Sequence, residues 1–224
     1  MTGKLIVIDG TDSSGKNTQA QILLEHLREK KIASEKADFP QYYTGYYGKM
    51  VARYLNGEFG TVKTVSPYFS SLLYALDRLE AKKKLDNWLS KDIFVVSNRY
   101  VSSNEAYGAA RFDSEPEKEE FLSWLADLEY NQNKMPKPDV IIFLYVPLEI
   151  TKEWIKTKEK REYLEGKKKD LHEKNTEYLK KVEEEYLALA KKNKWIKIDC
   201  VEKGNILSKE QIAEKIWSYI LPNL

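Results

Sequence analysis

The stretch Lys4–Arg28, KLIVIDGTDSSGKNTQAQILLEHLR, decides the fold. Leu5, Ile6, Val7 and Ile8 form a short β-branched run that reads as a buried parallel strand. Asp9 to Lys16, DGTDSSGK, cannot extend that strand, because two glycines and small polar residues favour a tight turn. From Asn17 the period changes to helical, with Ala20, Leu23, Leu24 and Leu27 on one face and Gln19, Glu25 and Arg28 polar. Gly10-x-x-x-x-Gly15-Lys16, followed by Asn17 and Thr18, is therefore a phosphate-binding loop between a strand and a helix. Backbone N–H groups from Gly10 through Thr11, Asp12, Ser13, Ser14 and Gly15 close around phosphate oxygens. The helix N-terminus adds partial positive charge, and Lys16 reaches the β and γ phosphates.

One position departs from the motif. A Ser or Thr hydroxyl that binds Mg²⁺ normally follows the lysine, and here the residue is Asn17. An amide oxygen is an acceptable Mg²⁺ ligand, so Asn17 is the expected metal contact.

A chain of 224 residues suits one α/β domain with room for an insertion, and can bury roughly 70–75% of its unfolded surface. Lys and Arg number 37 against 35 Asp and Glu, a net charge of +2, which argues against a dedicated nucleic-acid binder. Cys200 is the only cysteine, which excludes an intrachain disulfide and suits a reducing compartment. No signal peptide, transit sequence or long apolar stretch is visible, so a soluble, cytoplasmic protein with no membrane partner is expected.

Further along, Ile32–Phe39 reads as a second strand stopped by Pro40, and Gln41–Gly48 as a tyrosine-rich loop. Helices are expected at Lys49–Asn56 and at Pro67–Leu89, the latter with a stripe of Leu72, Leu76, Leu79 and Lys83. Ile93–Val96 is a buried strand leading into Ser97-Asn98-Arg99-Tyr100, and ligands gather at the carboxyl ends of such strands. Helices follow near Ser102–Ala110 and Pro116–Asn131, the second burying Phe121, Leu125 and Leu128. Val140–Val146 is the fourth strand, Asp170–Lys192 a helix, Trp195–Ile198 the last strand and Ser208–Ile220 the last helix. Five βα repeats predict a three-layer αβα domain with a five-stranded parallel sheet. Thr151–Lys169 is dense in charge and reads either as a solvated helical pair or as a basic lid over phosphates.

The chemistry narrows further. A GTPase needs an NKxD motif, but Asn133-Lys134-Met135-Pro136 lacks the Asp. An ATPase wants an acidic residue ending a hydrophobic strand, whereas FVVS runs into Asn98. A small-molecule kinase needs only a donor loop, cations around the transferring group and an acceptor pocket. Arg99, at a strand end, is suited to bridge donor and acceptor phosphates bidentately.

Several ordered motifs resemble the thymidylate kinase family along nearly the whole chain. They are DGTDSSGKNTQ (9–19), FPQYY (39–43), YGKMVARYLNGEFG (47–60), SPYFSSLLYALDR (66–78), NRYVSSNEAYGAAR (98–111), MPKPDVIIFLYV (135–146) and KKDLHEKNTEYL (168–179). The resemblance implies a P-loop kinase fold with a helical lid at about 151–170, and phosphoryl transfer from ATP–Mg²⁺ to dTMP. It makes Asp12, Lys16 and Arg99 the catalytic group, Asp12 also meeting the acceptor sugar. Phe39, Tyr42, Tyr74, Arg78, Asn104, Tyr107 and Glu173 would line the dTMP site. Tyr74 would stack on thymine, Arg78 and Asn104 would hydrogen-bond to it, and Tyr107 would crowd the 2′ position. Arg161 and the Lys167–Lys169 run would supply lid cations, Asp170 would lie near the metal, and a homodimer is implied. The family's acidic residue before the arginine is Asn98 here. That motivates one alternative, a nucleotide-binding protein with weak kinase activity; within the class the alternative is another pyrimidine nucleoside monophosphate kinase.

Overall fold

The computed structural model describes residues 3–151, 171–172 and 175–223. The expected lid lies outside these residues apart from Thr151, as do Arg161, Lys167–Lys169, Asp170 and Glu173.

Along the first strand, β1 (Leu5–Gly10), every residue is buried, and side chains alternate between two cores. Ile6 and Ile8 enter one cluster with Leu23, Leu24, Ile142 and Ile198, while Leu5 and Val7 enter another with Leu85, Val95 and Val101. This period of two with no polar face is what a central parallel strand requires. Burying each such aliphatic side chain contributes roughly 1.5–3 kcal/mol, so β1 anchors both layers.

The other strands of its sheet are β2 (Ser34–Asp38), β3 (Phe94–Asn98), β4 (Val140–Tyr145) and β5 (Ile196–Asp199). They form one parallel sheet in the order β2-β3-β1-β4-β5. Helix α1 (Lys16–Glu29) and the C-terminal helix α7 (Lys209–Ile220) share the first cluster. Helices α3 (Pro67–Leu89) and α4 (Val101–Ala109) supply Leu85 and Val101 to the second. Helix α6 (Thr176–Lys192) adds Val182 and Tyr186 against Phe143 of β4. The three-layer αβα architecture is as the sequence predicts. No described helix is long and apolar enough to cross a membrane.

Local differences have physical reasons. Helix α2 spans Tyr46–Leu55, starting earlier than expected because the Glu80 carboxylate accepts from the Tyr46 and Tyr47 backbone N–H groups. Helix α6 begins at Thr176, where the Asn175 side chain caps it by accepting from Tyr178 N. Leu72, Leu76 and Leu79 are only half-buried, and the buried face of α3 carries Ser71, Ala75, Asp77 and Arg78 instead. Helix α5 (Glu115–Ala126) runs on as a π-helix over Asp127–Gln132, and its buried stripe continues from Phe121 and Leu125 to Glu129 rather than Leu128. A short antiparallel pair, β6 (Val201–Glu202) and β7 (Asn205–Ile206), follows β5.

Candidate active site

The carboxyl ends of β1, β2 and β3 open on one cleft of about 790 Å³, lined by Asp12, Lys16, Asp38, Phe39, Tyr74 and Arg99 among others. The loop after β1 is shaped by backbone that only glycine adopts easily. Gly10 has φ 148° and a Cβ there would lie 2.5 Å from Leu144 O, while Gly15 at φ 85° starts α1. The Lys16 ammonium curls back onto Thr11 O at 2.5 Å and lies 3.4 Å from Ser14 Oγ. Thr11 Oγ1 and Ser13 Oγ are buried with no hydrogen-bond partner among the described residues. Asn17 and Thr18 are exposed at the start of the helix.

Arg99 sits at the end of β3 with φ 65°, a left-handed backbone uncommon for a non-glycine residue. Its N–H donates to Ile8 O at 3.0 Å and its carbonyl accepts from Ser97 Oγ at 2.7 Å, which fixes that conformation. The guanidinium is thereby aimed at the loop, donating to Asp12 Oδ1 at 2.6 Å and Gly10 O at 3.2 Å. The other Asp12 oxygen accepts from Tyr107 OH at 2.9 Å. Tyr107 stacks on the His172 ring, with centroids 5.2 Å apart. Burial pushes the Tyr107 hydroxyl far above its ordinary range, so it stays protonated as the donor.

Away from the loop, the cleft wall is flat and then polar. Tyr74 and Phe39 are lining rings, Tyr74 packed edge-on to Tyr54 and Phe39 against Tyr100. Tyr42 lines the same wall. Asn104 Nδ2 donates to Ser71 O at 3.0 Å. Arg78 Nε donates to Glu129 Oε1 at 3.0 Å, and Nη2 bonds the same oxygen. Both side chains are buried, and the Glu129 carboxylate keeps the Arg78 charge favourable against the cost of burial.

A family model for thymidylate kinase matches residues 8–212 of this sequence. The chain belongs to the thymidylate kinase family. The thymidylate kinase of Plasmodium falciparum (isolate 3D7) is 30% identical over 212 residues, 95% of this chain and 89% of that protein. That of Mycobacterium tuberculosis (strain H37Rv) is 30% identical over 186 residues, 83% of this chain and 85% of its own. The solved structure of thymidylate kinase from Candida albicans superposes with a TM-score of 0.71 at 25% identity, covering 99% of this chain and 92% of that one.

For a thymidylate kinase family member, the geometry gathers most of the residues singled out from sequence into one cleft. Asp12, Lys16, Asn17, Thr18, Phe39, Tyr42, Tyr74, Arg78, Arg99, Asn104 and Tyr107 all line it. Sequence reasoning missed the groups that hold these in place. Asp9 is fully buried and accepts from Gly10 N at 2.7 Å, Ser103 Oγ at 2.6 Å and Tyr186 OH at 2.8 Å, and also from Ser102 Oγ. A carboxylate ending an apolar strand was the available signal. Glu129 and Asp77 were missed as well. Asp77 accepts from Gln41 N and Nε2, pinning the loop that carries Tyr42 to the same helix as Tyr74.

Asp77 makes a testable pH dependence. Burial pushes its carboxyl up to about 6, although the Gln41 N–H and the Arg78 charge pull it back. Between the unfolded value of 3.8 and about 6, the folded chain keeps a proton that the unfolded chain has released. Its contribution to stability is therefore full below pH 3.8 and is lost as pH rises to about 6. At 1.36 kcal/mol per unit the loss is about 3 kcal/mol. Urea unfolding of wild type and Asp77→Asn at pH 3.5 and 7 is the check. The variant should gain about 3 kcal/mol relative to wild type at the higher pH, and an unchanged difference would mean a solvated carboxylate.

Proposed function

We propose that the protein transfers the γ-phosphoryl group of ATP, with Mg²⁺, to dTMP and yields dTDP. The observation that carries this reading is a single cleft with a phosphate loop and Arg99 at one end and Tyr74, Arg78 and Asn104 at the other. Phosphoryl transfer is mainly positioning and charge neutralisation, so the reading asks little covalent chemistry of the protein. Lys16 and the loop N–H groups would cradle the donor, and Arg99 would bridge the donor and acceptor phosphates in line. Asp12, held by Arg99 and Tyr107, would face the acceptor sugar.

Base choice follows from donors and acceptors. Thymine offers a carbonyl oxygen where cytosine offers an amino group. The Arg78 guanidinium can only donate, so it suits the carbonyl and leaves the amino group unpaired. With Asn104 Nδ2 occupied by Ser71 O, the carbonyl oxygen of Asn104 remains as acceptor for the ring N–H that thymine has and cytosine lacks. Tyr74 supplies stacking area to either base.

The residues also fit a divalent cation. Asn98 Oδ1 is a buried acceptor with no hydrogen-bond partner among the described residues, and Asn17 carries a second amide oxygen beside the loop, which accepts from Lys36. Oxygen donors are what Mg²⁺ selects. When bound, Mg²⁺ neutralises charge on the β and γ phosphates.

A coupled assay of ADP release with dTMP, dUMP, dCMP, UMP and dGMP tests the proposal. The expected kcat/KM for dTMP exceeds that for dCMP by at least about 10²-fold, and that for dUMP by roughly 10–200-fold. Equal use of dCMP would remove Arg78 and Asn104 from base selection. Nucleotide binding without acceptor-dependent release would favour a binding protein. The homodimer expected from the family would cover the half-buried Leu72, Leu76 and Leu79, and sedimentation of the same preparation as a monomer would exclude it.

A further inference from the structure

Phosphate-loop enzymes commonly hold their cation with a hydroxyl after the loop lysine and a carboxylate ending a nearby strand. Here both positions carry neutral amides, Asn17 and Asn98. An amide oxygen can coordinate but brings no net charge, and the charge count of the ligands sets much of the affinity for a hard cation.

A carboxylate stands one strand further out. Asp38 ends β2 and is paired in register with Asn98 at the end of β3. Asn98 Nδ2 donates to Asp38 Oδ1 at 2.7 Å, so the amide is oriented by the carboxylate. The far end of that amide, Oδ1, is the buried acceptor with no hydrogen-bond partner among the described residues. The Asp38 side chain itself is 55% exposed, open to the cleft that it lines.

A lysine now shares two of these groups. Lys36 lies two residues before Asp38, and its ammonium donates to Asn17 Oδ1 at 2.5 Å while lying 3.9 Å from Asp38 Oδ2. A positive charge already bridges the loop amide and the strand-end carboxylate. A divalent cation at these oxygens would displace that ammonium.

We propose that Asp38 supplies the negative charge that Asn98 lacks, so that Asp38, Asn98 and Asn17 together form the divalent-cation site of the nucleotide complex. This rests on the reading of the cleft as an ATP–Mg²⁺ site and assigns a residue to it. Asp38 acts through the water shell that Mg²⁺ retains, and Asn98 is held by Asp38 in the orientation that presents its oxygen. The carboxylate has in effect moved from β3 to β2 while the charge of the site is kept.

Mn²⁺ serves as the probe, titrated by electron paramagnetic resonance into the full-length protein saturated with ADP. Asp38→Asn is expected to weaken Mn²⁺ in the ADP complex by about 10–100-fold. ADP affinity measured in EDTA should stay unchanged. Adding Asn98→Asp to Asp38→Asn should restore the Mn²⁺ affinity, because the charge returns to the adjoining strand end. Asp38→Asn binding Mn²⁺ as tightly as wild type overturns the proposal, as does a double variant that restores nothing. If wild type with ADP takes up no more Mn²⁺ than free ADP does, the ATP–Mg²⁺ reading itself falls. Because Asp38 is exposed, its amide variant should fold, and an unfolding curve that overlays wild type separates lost folding from lost metal.

Discussion

Replacing Arg99 with alanine is expected to lower turnover by about 10²–10⁴-fold, with a smaller change in the KM for ATP. The reasoning starts with the backbone. Holding a non-glycine residue at φ 65° costs roughly 1–3 kcal/mol, and Ile8 O and Ser97 Oγ hold it there. Such a cost persists where it aims a side chain. The guanidinium is thereby fixed between Gly10 O, Asp12 and Ser103 Oγ, at the mouth of the phosphate loop. In the proposed reaction the charge on the transferring group spreads in the transition state, so a fixed cation beside it acts more on turnover than on binding. Arg99→Lys keeps charge but loses the planar fork, and an intermediate loss is expected. Steady-state kinetics on both variants decide the matter, and an alanine variant with near-normal turnover removes Arg99 from the mechanism.

The second large effect is on stability. Glu129→Ala should cost about 3–5 kcal/mol, because it strands the Arg78 guanidinium in the interior. For a chain of this size that lowers the melting temperature by roughly 6–20 °C. Glu129 is 0% exposed, and one of its oxygens takes both the Nε and Nη2 bonds of Arg78. Replacing both partners, as Arg78→Met with Glu129→Leu, should recover most of that stability, since apolar groups of like volume do not demand pairing. The double variant should still lose its preference for dTMP over dCMP, because the donor to the base is gone. Calorimetry and the acceptor assay together separate the two roles. A single Glu129→Ala variant within about 1 kcal/mol of wild type would show that the cleft hydrates Arg78 well enough.

These two residues also mark what could be read in the sequence. Arg99 was legible because a strand end beside a phosphate loop is a local pattern, written in consecutive residues. The same holds for Gly10, Lys16 and the strands whose apolar runs are short and continuous. Glu129 was not legible. A carboxylate in an apolar stripe makes sense only with Arg78 opposite it, 51 residues earlier in sequence, and the π-helix beginning at Asp127 leaves no mark in composition. The stripe of α3 was misread for a related reason. Ser71, Asp77 and Arg78 are buried against the polar partners Asn104, Gln41 and Glu129, so burial there does not track hydrophobicity. The pairing of Asp38 with Asn98 needed the parallel register of β2 and β3, which no local pattern specifies.

The cations of the cleft already have acceptors within the protein. Lys16 rests on Thr11 O, Lys36 on Asn17, and Arg99 on Asp12. An incoming phosphate therefore enters an exchange, trading places with acceptors that the protein supplies itself. Each new contact is worth only the difference between the two partners, so affinity stays well below what the count of cations suggests. When product leaves, the same acceptors reclaim the cations. A site built this way gives up tight binding and gains release, which is the step that lets a catalyst begin again.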